Sequence, residues 1–185
     1  MKKTIIALTL LALAGAASAD SISVSGAVAE SAATGVDSNR FTFGYKKDLA
    51  KGFAGDVSVS NTSNTSTNAL SNRTEVGLTA TVLEAGRLTS NVRVATGAKM
   101  VSGSDAKYYY SVEPGVSYKL TDSLSARVAY RFRDAYANDV ADRSNTNRVS
   151  LSYALSKSNT VSVGYDKVRG DGAEKAVSVG LSHAF

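Results

Sequence analysis

Large apolar residues recur at every second position along most of the chain, with small or polar residues between them. The alternation lapses only in polar stretches rich in Gly, Asn, Asp and Ser. A period of two is the spacing of one face of a β-strand. It predicts ten strands, near Ser21 to Ala29, Arg40 to Tyr45, Phe53 to Ser60, Arg73 to Val82, Leu88 to Lys99, Tyr108 to Leu120, Leu124 to Arg133, Arg148 to Leu155, Thr160 to Asp166 and Lys175 to Phe185. Phe41, Phe43 and Tyr45 share one face of the second strand, and Val76, Leu78, Ala80 and Val82 share one face of the fourth.

The predicted connections alternate in length. Short ones fall at Lys46 to Gly52, Leu83 to Arg87, Thr121 to Ser123 and Ser156 to Asn159. Longer polar ones fall at Glu30 to Asn39, Asn61 to Asn72, Met100 to Lys107, Asp134 to Asn147 and Lys167 to Glu174. Such alternation is expected of an up-and-down meander closed into a membrane barrel, with both ends on the short-turn, periplasmic side. Tyr118-Lys119-Leu120-Thr121-Asp122-Ser123-Leu124 and Tyr153-Ala154-Leu155-Ser156-Lys157-Ser158-Asn159 repeat a turn one strand pair apart, and Tyr45-Lys46-Lys47-Asp48-Leu49 is a looser copy.

The beginning of the chain fits the same compartment. Met1-Lys2-Lys3 is basic, Ile5 to Leu13 is almost wholly apolar, and Ala17-Ser18-Ala19 precedes Asp20 as a small-x-small cleavage site. This layout predicts a cleaved secretory signal peptide at 1–19 and a barrel at 20–185. No later apolar run is long enough for a membrane helix. Cys is absent, which removes disulfides and thiolate metal sites, and no metal or other cofactor is expected.

The net charge of +5 drops to about +3 without Lys2 and Lys3, and the remaining Lys and Arg are scattered at alternating positions. A nucleic-acid binder would gather them on a stripe or helix, so no nucleic-acid partner is expected. Their facing is more telling. One face carries Arg40, Asp56, Arg73, Glu75, Arg93, Lys99, Glu113, Lys119, Arg127, Arg131, Arg133, Arg148 and Asp166, whereas strand interiors on the other carry no charge and Lys175 sits at a strand end. A soluble barrel would turn its charges to water. A transmembrane barrel turns them inward.

Aromatic residues agree. Phe41, Phe43, Tyr45, Phe53, Tyr108, Tyr110, Tyr118, Tyr130, Phe132, Tyr153, Tyr165 and Phe185 fall on the outward face, many near strand ends, as interfacial girdles require. The closing run Val177 to Phe185 resembles the last strand of Gram-negative outer-membrane barrels, in which a terminal Phe is an assembly signal. That resemblance implies an outer-membrane location and, as partners, outer-membrane lipid, lipopolysaccharide, periplasmic chaperones and the barrel-assembly machinery.

Tyr118 to Arg133, with its Tyr130-Arg131-Phe132-Arg133 end, and Asn147-Arg148-Val149 resemble the small monomeric porins for acidic oligosaccharides, the oligogalacturonate-specific porin family. In that family basic side chains of such strands form lumen tracks for carboxylated sugars, on twelve strands and a longer chain. The ten strands read here depart from it.

The residues themselves leave two functions open. Arg93, Arg127, Arg131, Arg133 and Arg148 outnumber the inward acids Asp56, Glu75, Glu113 and Asp166, and a surplus of fixed positive charge in a lumen lined by Ser, Gly and Ala favours small anionic solutes. With a symmetric register for the hairpin around Asp134 to Asn147, Arg133 and Arg148 face each other near the outer mouth, a costly like-charge pair unless an anion or an acidic neighbour intervenes. Alternatively, Glu75 with Arg93 and Glu113 with Arg131 hold the lumen shut as ion pairs, leaving a structural barrel whose loops serve adhesion or binding. Catalysis is not expected: His183, the one histidine, lies at the rim on the outward face, and the loop acids Asp134, Asp139 and Asp142 read as solvated or as partners of divalent ions.

Overall fold

The computed structural model describes residues 20–32, 34–137 and 142–185; the signal peptide expected at 1–19 and Asp139 lie outside the described residues. Ten strands follow one another: β1 (Ser21–Ser31), β2 (Asp37–Ala50), β3 (Phe53–Asn64), β4 (Leu70–Ala85), β5 (Leu88–Val101), β6 (Lys107–Lys119), β7 (Leu124–Ala135), β8 (Ser144–Ala154), β9 (Asn159–Gly170) and β10 (Glu174–Ala184). Each pairs antiparallel with its chain neighbours, and β10 closes onto β1 from Ser21↔Ala184 to Ser31↔Glu174. Closure leaves no free edge, so every strand can satisfy its backbone within the sheet.

The strands run further than the apolar alternation suggests. β3 continues through Asn61 to Asn64 and β4 starts at Leu70, so the long connection expected at Asn61 to Asn72 shrinks to 65–69. The other four shorten likewise, to 32–36, 102–106, 136–143 and 171–173. Backbone N–H and C=O groups pair regardless of side-chain polarity, so the ladder outlasts the hydrophobic signal.

At the other mouth lie the tight turns. Lys51-Gly52 and Gly86-Arg87 are two-residue turns in which Gly52 (φ 80°) and Gly86 (φ 59°) take the left-handed backbone that glycine adopts without strain. The repeated turn proves to be one design used twice. Thr121 Oγ1 accepts the N–H of Leu124 (3.0 Å), and Ser156 Oγ accepts that of Asn159 (3.0 Å). The looser copy at Tyr45 to Leu49 is different: it stays in the strand, with a bulge at Leu49.

Burial is inverted relative to a soluble domain. Among the described residues the buried apolar side chains are five alanines and Tyr109, with no Val, Leu, Ile or Phe, while Glu75, Glu113, Arg131 and Arg133 are buried. Val28, Val76, Val128, Val163, Val177 and Leu181 stand exposed on the outside. An apolar exterior of this extent belongs in lipid. The longer strands do bring charges outward, correcting the expectation that only Lys175 lies there: Glu30, Asp37, Lys47, Asp134, Lys167 and Arg169 join it, each near a strand end.

Pro114, on the outward face of β6, interrupts one ladder. Pairing with β7 runs to Val112↔Phe132 and resumes at Gly115↔Ala129, because proline has no N–H to donate.

Candidate functional site

Inward side chains divide the lumen into two walls. From β8 round to β3 they are mostly small, as at Ser150, Gly164, Ser178, Ser25, Thr42 and Ser58; from β4 to β7 they are Glu75, Arg93, Glu113, Arg127 and Arg131. Both walls line a cavity of about 380 Å³. A second cavity of about 150 Å³ adjoins it on the long-connection side and shares Arg40, Arg73, Arg131, Arg148 and Asp166 with it.

Ion pairs organise the charged wall and tie it to the other through Asp56 on β3, Arg148 on β8 and Asp166 on β9. Arg93 holds Asp56 with two nitrogens, Nε to Oδ1 at 2.9 Å and Nη2 to Oδ2, and gives Nη1 to Glu75 Oε1 at 2.6 Å. Arg131 Nη2 pairs with the other oxygen of Glu75, to which Tyr109 also donates its hydroxyl at 3.0 Å. Glu113 forms the second centre, accepting from Arg148 Nη1 at 2.9 Å and Arg127 Nη2 at 3.4 Å, while Arg148 Nη2 lies 3.3 Å from Asp166. Buried carboxylates persist as anions only with such company.

Two expected pairings are not formed. Arg131 crosses from β7 to Glu75 on β4 and leaves Glu113 to Arg127 and Arg148; that pair would fall in the stretch of ladder which Pro114 interrupts. Arg133 does not face Arg148. It lies opposite Ser144, and Arg148 lies opposite Ala129, because β8 begins at Ser144 and so slides the hairpin by an even number of residues, which keeps every side chain on its face. Arg133 instead pairs with Asp142 at 2.8 Å. Asp142 is thereby buried and not solvated, and Asp134 lies 3.6 Å from Arg143.

Three inward glycines make room for the long side chains. A Cβ on Gly77 would stand 2.5 Å from the Arg93 guanidinium, one on Gly115 2.4 Å from that of Arg127, and one on Gly97 2.6 Å from the Tyr109 hydroxyl. Each side chain therefore lies along the barrel wall, across the glycine of the neighbouring strand, and less of it reaches toward the axis.

The like-charge contact expected of Arg133 and Arg148 exists elsewhere. Arg73 on β4 and Lys99 on β5 are directly opposed and inward, and among the described residues neither forms an ion pair. Arg73 Nε is shielded from solvent without a hydrogen-bond partner. Its guanidinium lies 5.8 Å from the Tyr109 ring centroid, and that of Arg133 lies 5.2 Å from it. Tyr109 was the residue missed by sequence reasoning, although the signal was there: it is the inward ring between the outward Tyr108 and Tyr110.

At the short-turn mouth, Phe185 is 70% exposed, meets the His183 ring edge-on at 4.9 Å and donates its N–H to Asp20 O at 3.0 Å, tying the β1–β10 seam. His183 Nδ1 lies 2.9 Å from Asn159 Oδ1 on the outer surface, far from the lumen charges in register.

A closed antiparallel barrel, apolar outside and charged within, is a transmembrane β-barrel. Known structures give the comparison its particulars. The chain is similar to the NanC porin, with 11% identity over 89% of this chain and 100% of that one at a TM-score of 0.58, and to the translocator domain of the autotransporter NalP from Neisseria meningitidis, with 11% identity over 94% and 91% at 0.52. A KdgM porin matches over 89% and 99% with 14% identity and a TM-score of 0.49. No family model and no curated protein sequence matches the chain.

Proposed function

We propose that this barrel is an outer-membrane channel for the passive diffusion of small anionic solutes, acidic sugars among them. The observation that carries the reading is the opposed pair Arg73 and Lys99, two inward cations outside any ion pair among the described residues, at a cavity lined also by Arg40, Arg131, Arg133 and Arg148 against the two acids Asp166 and Glu174. The five arginines first read from the sequence are largely neutralised by the acids beside them. Selectivity therefore rests on the unbalanced pair, which attracts an anion into the lumen from the long-connection side. The fold likeness to a porin is consistent with this role.

Planar-bilayer recording tests it. Purified barrel is expected to give conductance steps whose reversal potential in a salt gradient has the anion-selective sign, and Arg73→Ala with Lys99→Ala is expected to reduce that selectivity. Absence of steps would leave the alternative, a closed barrel with binding loops, which the pairing of Arg131 across to Glu75 on β4 favours.

A further inference from the structure

On the outside of β9 and β10 the surface is apolar up to Tyr165 and Val177, which stand directly opposite each other. The next outward pair toward the long-connection mouth is Lys167↔Lys175, and Arg169 follows on β9. All three are exposed, and among the described residues none forms an ion pair; Glu30, the register partner of Lys175 on β1, is not within 4.0 Å of it. Arg143 adds a fourth cation from the β7–β8 connection. It is 71% exposed, lies 5.7 Å above the Phe132 ring and is 3.6 Å from Asp134. Phe132, Asn145 and Arg169 are register neighbours across β7, β8 and β9, so the four cations share one sector of the rim.

Directly opposed like charges are destabilising, and here they stand where an apolar strip ends. We propose that Lys167, Lys175, Arg169 and Arg143 form a binding site for the phosphorylated headgroup of a membrane lipid in the leaflet at the long-connection side. The proposal rests on the barrel being embedded in a membrane. A phosphate brings charge and several acceptor oxygens, the lysines act on it as point charges and the arginines can hold it with two N–H groups. The acyl chains then lie along Tyr165, Val177, Val163, Val179, Val161 and Leu181, which continue the same two strands below the cations.

The test uses the full barrel in zwitterionic detergent, titrated with the doubly phosphorylated glycolipid lipid A and read by native mass spectrometry. At about 5-fold per charge, K167Q with K175Q is expected to weaken retention roughly 25-fold. K167R with K175R is expected to preserve it, as is K46Q with K51Q at the opposite mouth. Equal retention by the wild type and K167Q/K175Q overturns the proposal, and so does displacement of the lipid by millimolar inorganic phosphate, which would mark a free-phosphate site. Gel mobility with and without heating is read on the same samples. A heat shift without lipid retention removes this site alone, whereas no heat shift in the wild type removes the membrane barrel beneath it.

Discussion

Tyr109 donates its hydroxyl to Glu75 at 3.0 Å, and this bond joins the fully buried aromatic of the barrel to the carboxylate on which Arg93 and Arg131 converge. The ring covers Gly97, its directly opposed neighbour on β5. An aromatic laid over a strand glycine supplies the packing that the glycine lacks.

Ring and hydroxyl are separable. Tyr109→Phe removes one hydrogen bond and is expected to cost about 1 kcal/mol. Tyr109→Ala empties the space over Gly97 and is expected to cost about 3–5 kcal/mol. Denaturant unfolding of the barrel in vesicles measures both, and equal losses would mean that the hydroxyl does the work here assigned to the ring.

Glu75→Gln leaves Arg93 with Asp56 and strips Arg131 of its carboxylate. Breaking a buried pair from one side costs roughly 3–5 kcal/mol, so the unfolding midpoint should fall. The lumen also loses one negative charge, so its net charge rises by one. Anion selectivity in bilayer recordings should therefore rise in the molecules that remain folded.

Arg93 and Arg73 are both inward arginines, yet their removal should read differently. Arg93→Ala strands Asp56, takes one of two arginines from Glu75 and is expected to lower stability; Arg73→Ala relieves its opposition to Lys99 and is expected to leave stability level or higher while reducing anion selectivity. A stability loss in Arg73→Ala matching that of Arg93→Ala would show that Arg73 is a structural partner.

Gly77 is the slot in which Arg93 lies. Gly77→Leu puts a side chain where the guanidinium rests, 2.5 Å from the new Cβ, and drives it toward the axis. Single-channel conductance is expected to drop, whereas Gly26→Leu, at a position with open space around it, should leave conductance unchanged.

The β7–β8 register can be checked by cross-linking, since the chain has no native Cys. Val128 and Val149 are directly opposed, at the roughly 4.5–5.5 Å Cα separation of facing residues, which a disulfide spans. Val128→Cys with Val149→Cys should oxidise readily. Val128→Cys with Tyr153→Cys, the pair that would be opposed if Arg133 faced Arg148, should not.

Much of the architecture was legible because a barrel wall between lipid and lumen imposes one rule on every strand. Lipid-facing residues such as Val177, Val179 and Leu181 must alternate with Ser178, Gly180 and Ser182, so strand number, facing and closure can be read without knowing any partner. Connection lengths were harder. Asn61 to Asn64 carry no apolar signal, yet they extend the ladder through their backbone.

The chain's own pattern determined which residues point inward, Arg93, Arg131, Arg148, Glu75 and Glu113 among them, because facing depends only on odd or even position. It did not determine who pairs with whom. Register between strands is a non-local quantity: the start of β8 at Ser144 separated Arg133 from Arg148, and the inward glycines let Arg93 and Arg127 fold along the wall. An even slip keeps every face intact while exchanging every partner, so only the tertiary structure decided that Arg73 and Lys99 stand directly opposite each other inside the lumen, neither in an ion pair among the described residues.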